Sequence, residues 1–209
     1  LPKAWIQDRK RDYYYQKAKQ ENYRSRAAYK LFQVIQKYHF VKFGDVVVDL
    51  GAAPGGWIQA ARKTVGKRGF VLGVDLKQIE PFPQDYVRTI VCDIMEQDAA
   101  HEILEMLPRK ADAVISDASP NISGIWEVDH ARQIELALQA LKIALEALRV
   151  GGNFFVKVFQ GDMLDDYTRK VSQHFENVLV IKPKASRAKS SEMFILAQRL
   201  NKPRLERQA

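Results

Sequence analysis

A single cysteine, Cys92, stands in 209 residues. One thiol closes no internal disulfide, so the expected setting is a reducing cytoplasm rather than a secreted disulfide scaffold. The four histidines, at 39, 101, 130 and 174, show neither His-x-x-x-His nor Cys–His ligand spacing, and no zinc site is expected. No apolar run is long enough to span a bilayer, and the opening Leu-Pro-Lys-Ala-Trp carries no signal-peptide core. No internal repeat and no second-domain boundary is visible. What remains, at 46% hydrophobic content, is one domain with a substantial core.

The stretch at 46–57, Val-Val-Val-Asp-Leu-Gly-Ala-Ala-Pro-Gly-Gly-Trp, organises the rest. A β-branched apolar run ending in Asp49 reads as a parallel strand buried on both faces. The turn Gly51 to Gly56 lets the backbone bend sharply and come close to a ligand, and Trp57 opens a helix. The dinucleotide fingerprint Gly-x-Gly-x-x-Gly is lacking, because Ala53 stands where its second glycine would. Asp49 also disfavours a pyrophosphate, whereas the sulfonium of S-adenosylmethionine (SAM) tolerates a carboxylate there. An ordinary strand–turn–helix junction is the plainer alternative.

Charge is segregated. Residues 1–30 hold nine Lys/Arg against three Asp/Glu, and residues 182–209 hold eight against two. The body between them is slightly acidic, so two basic ends flank it, as in a polyanion binder. Solvated tails are the competing account. In 1–24 the cations alternate with Trp5, Tyr13, Tyr14, Tyr15 and Tyr23, a mixture suited to single-stranded or loop RNA. Packing of these rings against the domain explains them equally well.

Downstream, the spacing predicts a helix over 25–39, capped by Ser25, on which Lys30 taken alone reads as a solvated lysine. Strands are expected at 70–74, 87–92, 113–116, 153–159, 177–181 and 193–197. Helices are expected over 96–107, 129–149 (stopped by Gly151-Gly152) and 163–175. Alternation of strand and helix predicts an α/β, Rossmann-like, doubly wound, mostly parallel sheet of seven strands, the last antiparallel. Asp75 ends the second strand about 20 residues past the glycine turn, where an acid binds ribose hydroxyls; an N-cap is its alternative. Asp93 is either an adenine contact or a capping-box residue with Glu96. Asp117, before Ala-Ser-Pro-Asn121, is a strand-end site signal or simple turn chemistry. Lys157 is an isolated lysine inside a buried strand, which is costly unless it is paired or reaches a cleft.

The segments Asp49-Leu-Gly-Ala-Ala-Pro-Gly-Gly-Trp57, Ser116-Asp-Ala-Ser-Pro-Asn121, Phe155-Val-Lys-Val-Phe-Gln-Gly161 and Ser186-Arg-Ala-Lys-Ser-Ser-Glu192, with Arg24-Ser-Arg-Ala-Ala-Tyr-Lys30, resemble the FtsJ-like RNA ribose 2'-O-methyltransferases. The likeness runs from about residue 20 to 198 and is nearest the RlmE-type branch, which acts on a uridine ribose of large-subunit ribosomal RNA. Ala118-Ser119 depart from the Met-Ala of bacterial members. The resemblance implies a class I SAM-dependent methyltransferase with a Lys-Asp-Lys-Glu tetrad at Lys30, Asp117, Lys157 and Glu192. It implies SAM contacts at Gly55, Trp57, Asp75, Asp93 and Asp117; the reading of the glycine turn adds Asp49, Gly51, Pro54 and Gly56 to the expected cofactor site, and no metal is expected. It further implies ribosomal RNA or the large subunit as partner; no membrane and a monomer are expected. The expected organisation is a basic aromatic arm (1–24), a methyltransferase domain (25–200) and a basic tail (201–209). The alternatives are a transfer RNA or cap 2'-O-methyltransferase, a non-catalytic ribosome-assembly factor, and a small-molecule methyltransferase.

Overall fold

The computed structural model describes residues 12–187 and 189–202. Trp5, the basic residues before Asp12, and the tail from Pro203 lie outside the described residues. Short apolar runs pair into one sheet of strands β1 (Val46–Leu50), β2 (Phe70–Asp75), β3 (Val87–Val91), β4 (Ala111–Ser116), β5 (Leu148–Phe159), β6 (Phe175–Ile181) and β7 (Glu192–Leu200). Their order is β3-β2-β1-β4-β5-β7-β6. β1, β2, β3, β4 and β5 run parallel, and β7 lies antiparallel to both β5 and β6. The expected sheet, with its reversed last strand, is present.

Both faces are covered, which explains why β1 and β4 are buried throughout and carry no polar alternation. Helices α2 (Ala28–Tyr38) and α3 (Gly56–Val65) cover one face, around Leu31, Val47, Trp57, Ile115, Phe155 and Phe194. Helices α4 (Ala99–Met106), α5 (Trp126–Ala147) and α6 (Leu164–Ser172) cover the other, around Leu50, Leu72, Ile103, Ile143 and Phe154.

Several local expectations are corrected. Ser25 does not cap α2, whose N-cap is Ala27 with no side-chain hydrogen bond. Instead its hydroxyl packs over Gly56, where an added Cβ would collide with Ser25 Oγ. Asp93 does not cap a helix either: it accepts from the Met95 N–H in a tight turn, and α4 starts later, at Ala99. Gly151 and Gly152 do not stop α5. That helix ends at Ala147, Leu148 already belongs to β5, and the glycines sit where the β4–β5 register shifts. A bulge, not a helix end, is what they accommodate.

An unanticipated helix, α1 (Tyr13–Gln20), is capped by Asp12, whose Oδ1 accepts from the Tyr15 N–H at 3.1 Å. It lies on α2 through the rings of Tyr14, Tyr23, Tyr29 and Phe32, so packing accounts for Tyr14 and Tyr23, while Tyr13 is exposed.

Candidate active site

The carboxyl ends of β1, β2, β3 and β4 converge on a cleft of about 320 Å³ lined by Gly51, Ala53, Asp75, Asp93, Asp117 and Asn121. Its floor is set by two backbone straps. The N–H groups of Gly51 and Ala52 both donate to the Val74 carbonyl, at 2.8 and 3.1 Å, tying the turn to β2. Asp75 Oδ2 accepts from the Ala53 N–H at 2.8 Å, and its Oδ1 from the Lys77 N–H at 2.9 Å. Gly51 has φ +75, and an added Cβ would meet Ala118 Cα at 2.5 Å. Only glycine lets the β1 and β4 loops close on each other there.

Beneath the cleft lies Asp49, fully buried, with neither carboxylate oxygen hydrogen-bonded. Burial first, then the charges of Asp117 and Asp75, push its carboxyl well above the usual carboxylate range. With three carboxylates against one lysine, Lys77, on its walls, the cleft is net acidic, which suits a cationic ligand and disfavours a pyrophosphate. That is the electrostatic character a sulfonium-bearing cofactor needs.

Not all the glycine-turn residues reach this cleft. The Trp57 ring is core: it stacks on Phe155 at 5.4 Å and donates its indole N–H to the Ala27 carbonyl at 2.8 Å. Gly55 and Gly56 are buried, the former as the N-cap of α3. What Gly56 and Trp57 can offer a ligand is the unpaired N–H edge of the first turn of α3. The Pro54 carbonyl accepts from Arg24, whose guanidinium also binds the Glu80 and Pro81 carbonyls and lies 3.9 Å from the centre of the Phe82 ring. Arg24 thus clamps the glycine turn to the segment after β2.

Beside the cleft are two lysine–acid pairs. Lys157, only 4% exposed, donates to the Asp117 backbone carbonyl at 2.8 Å and stands 3.2 Å from Asp117 Oδ1. That second contact is a charge contact without hydrogen-bond geometry. Lys30 is no solvated helix lysine: it is buried and donates to Glu192 Oε2 at 2.8 Å. Strand register unites the pairs. Lys157 lies opposite Phe194 and Phe159 opposite Glu192 in the antiparallel β5–β7 ladder. Lys157 and Glu192 are therefore diagonal neighbours on one face, within roughly 7–8 Å at their backbones. Lys30 spans the gap, its ammonium 5.4 Å from the Phe194 ring centre. Four residues from α2, β5, β7 and the β4 loop thus share one rim.

Three further residues hold this rim and carried no legible signal in the sequence. The Gln133 amide, buried on α5, donates to both the Lys157 and Ala118 carbonyls, at 3.1 and 3.2 Å. Asp12 pairs with Arg26 and stands 3.7 Å from Arg187, while Arg26 also binds the Ala185 carbonyl. Burial, then the Arg187 cation, lower the Arg26 pKa. Gln33 completes the brace: its amide donates to the Tyr14 hydroxyl and its carbonyl accepts from the Ala185 N–H. Helices α1 and α2 thereby hold the 182–191 loop against the tetrad. Between loop and helix runs a groove of about 470 Å³ lined by Arg26, Lys30, Arg187, Lys189, Ser190 and Glu192. The acidic cleft reaches the first lysine–acid pair through Asp117, and the basic groove reaches the second through Lys30 and Glu192.

Sequence and structure comparisons place the chain among known proteins. The family model described as FtsJ-like methyltransferase matches residues 23–200. The chain is 50% identical over 200 residues to the ribosomal RNA large subunit methyltransferase E of Methanocaldococcus jannaschii, covering 94% of this chain and 82% of that one. It is 49% identical over 199 residues to the protein of the same name from Methanococcus maripaludis strain C7, covering 95% and 77%. A solved structure described as a ribosomal RNA methyltransferase of Plasmodium falciparum superposes with a TM-score of 0.75 at 27% identity, covering 85% of this chain and 98% of that one. The chain belongs to the FtsJ-like methyltransferase family.

Proposed function

We propose that this methyltransferase moves the methyl group of SAM to the 2'-hydroxyl of a ribose in large-subunit ribosomal RNA, at a uridine. The observation that carries the reading is two lysine–acid pairs, Lys157–Asp117 with its acid on an acidic cleft and Lys30–Glu192 on a basic groove, brought to neighbouring positions by the β5–β7 ladder. SAM supplies a methyl already activated by its sulfonium. Asp75 and Asp93 suit its ribose and adenine amino group, and the Asp49–Asp117 side suits its cationic end. The names of the relatives support the RNA assignment, as do Arg26, Arg187 and Lys189, which can grip phosphates in the groove.

A ribose hydroxyl holds its proton tightly, so the chain must aim its oxygen and give the proton a route. Lys157 Nζ is already held at one side by the Asp117 carbonyl, leaving its other donor directions for the incoming oxygen. Asp117 Oδ1, without a hydrogen bond, is an acceptor within reach of the same point. Lys30 and Glu192 close the groove side and neutralise each other, so the acceptor enters a balanced site. We read residues 25–200 as the methyltransferase domain, residues 1–24 as an arm on it and 201–209 as a basic tail. The site of action in this reading is the cytoplasmic ribosome. No described helix is long and apolar enough to cross a membrane.

The test is tritiated-methyl transfer to ribosomal RNA, with mapping of the modified ribose. Wild-type protein is expected to label one uridine 2'-oxygen, and Lys157→Ala to lose at least about 100-fold in rate while binding SAM as before. Full activity in that variant, or methylation on a base atom, overturns the assignment.

A further inference from the structure

Beyond Asn121, the loop after β4 and the first residue of α5 carry apolar side chains that the methyl-transfer reading does not use. Ile122, Ile125 and Trp126 are 63%, 58% and 44% exposed. Scattered exposed apolar residues need no explanation, but three clustered on a rigid support at a site do. The support is Asp129, a buried residue whose Oδ1 accepts from the Ser123 N–H and hydroxyl, each at 2.8 Å, and whose Oδ2 accepts from the Gly124 N–H at 3.1 Å. These hydrogen bonds, the Ser123 N–H first, hold its carboxyl below the usual range, so the brace is ionised at neutral pH.

Trp126 is held by two other rings. Its ring stacks on His130 with centroids 5.7 Å apart and 13° between planes, and on Phe159 at 6.0 Å and 25°. His130 is itself buried and packs on Gly161. The indole therefore has a fixed orientation and an open remainder. Its address in the site comes from the ladder: Phe159 is opposite Glu192 and two residues beyond Lys157 on the same face of β5. Two residues of strand put Phe159 roughly 7 Å from Lys157, and the Trp126 ring stands next to it, 6.0 Å from the Phe159 ring.

The geometry points to Trp126, flanked by Ile122 and Ile125, as a stacking platform for an unpaired nucleobase next to the methylated nucleotide. This rests on the RNA ribose reading above and adds the requirement that the target lie in a single-stranded or loop segment. A strand whose phosphates follow Arg26, Arg187 and Lys189, and whose ribose reaches Lys157, can set a neighbouring base on the exposed ring that stacks on Phe159. Stacking on an exposed aromatic face is how unpaired bases are held with little dependence on their identity.

The experiment measures binding and methylation of a ribosomal RNA fragment containing the target by Trp126→Ala, Trp126→Leu and Trp126→Phe, beside SAM affinity and Tm. Loss of the ring is expected to weaken RNA binding roughly 5- to 100-fold and to raise KM for RNA more than it lowers kcat. Phe is expected to recover most of the loss and Leu little, with SAM affinity unchanged in all three. A fragment made abasic at one position flanking the target should bind wild type and Trp126→Ala alike. Unchanged RNA affinity in Trp126→Ala overturns the platform. So does equal rescue by Leu and Phe, which would mark a plain apolar contact such as a protein partner makes, and so does a penalty that persists on every abasic fragment. Failure of the wild type to methylate any RNA would instead sink the ribose reading, which these binding comparisons do not depend on.

Discussion

At the amino ends of β1 and β4, Asp112 accepts from the Val46 N–H at 2.7 Å and pairs with Arg109 and Arg149, each at 2.6 Å. At the carboxyl end of β1, Asp49 is buried more deeply and accepts from nothing. Burial works against ionisation of both. At Asp112 the hydrogen bonds from Arg109, Val46 and Arg149 outweigh it and hold the carboxyl below the usual range. At Asp49 the neighbouring acids reinforce burial and the carboxyl rises. One rim of the sheet uses its charges for stability. The other leaves a buried carboxyl unpaired and its ionisation disfavoured, a perturbation that clusters at functional sites.

The sharpest way to break this contrast is to exchange the two kinds of loss. Lys157→Met removes the paired ammonium at the site rim while keeping its length and burial. Methyl transfer should fall by at least about 100-fold, with Tm unchanged or raised, because an apolar side chain replaces a desolvated charge. Asp112→Asn should do the reverse. It should cost about 2 kcal/mol of stability, less than a fully buried pair would lose because both arginines are half exposed, and leave turnover per folded molecule intact. Thermal unfolding and initial rates on the same preparations decide it. A Tm collapse in Lys157→Met would mean that the site rim is structural after all.

A smaller effect sharpens the view of the site rim itself. Glu192→Gln keeps a hydrogen-bond partner for Lys30 but removes its counter-charge. The expected rate loss is roughly 10- to 100-fold, and adding Lys30→Met to it should cost far less than the two single losses combined, since the residues act as one unit. Additive losses in the double-mutant cycle would separate Lys30 from Glu192.

The same contrast explains how much of the molecule could be read from the sequence. Strands buried on both faces announce themselves as short β-branched runs, and the residues just after each run fall at one rim by topology alone. Gly51, Asp75, Asp93 and Asp117 were legible for that reason. Lys157 stood out because an isolated lysine in such a run needs a partner. Lys30 did not: its helix spacing placed it with solvated residues, and its partner Glu192 is 162 positions away, so only the family resemblance linked them. Helix α1 has one buried residue, Ala18, and hence no periodic apolar stripe to betray it. Gln133, Asp129 and Asp12 act through backbone groups and charges brought together by folding, which leave no local pattern. Trp57, prominent in the glycine-turn motif, contributes its ring to the core rather than to the cleft.

The most delicate measurement compares the two buried carboxylates directly, through the pH dependence of stability. The folded pKa of Asp112 is depressed, so its contribution is fully present above the unfolded carboxylate value, about 4, and is lost as pH falls through the folded one. The Tm gap between wild type and Asp112→Asn should therefore be full at neutral pH and close in acid. Asp49 has the opposite sign. Its folded pKa is raised, so the native state holds a proton that the unfolded chain has released, and stability falls as pH climbs from about 4 towards the folded value. Asp49→Asn removes that slope and should gain on the wild type over the same climb, by a few degrees at most. Saturating SAM should shrink the gain, because a bound cation favours the ionised carboxylate that the empty fold resists. Parallel Tm-against-pH curves for Asp49→Asn and wild type would mean that Asp49 is satisfied within the fold, and the site rim would then differ from the structural rim in residue identity but not in electrostatic strain.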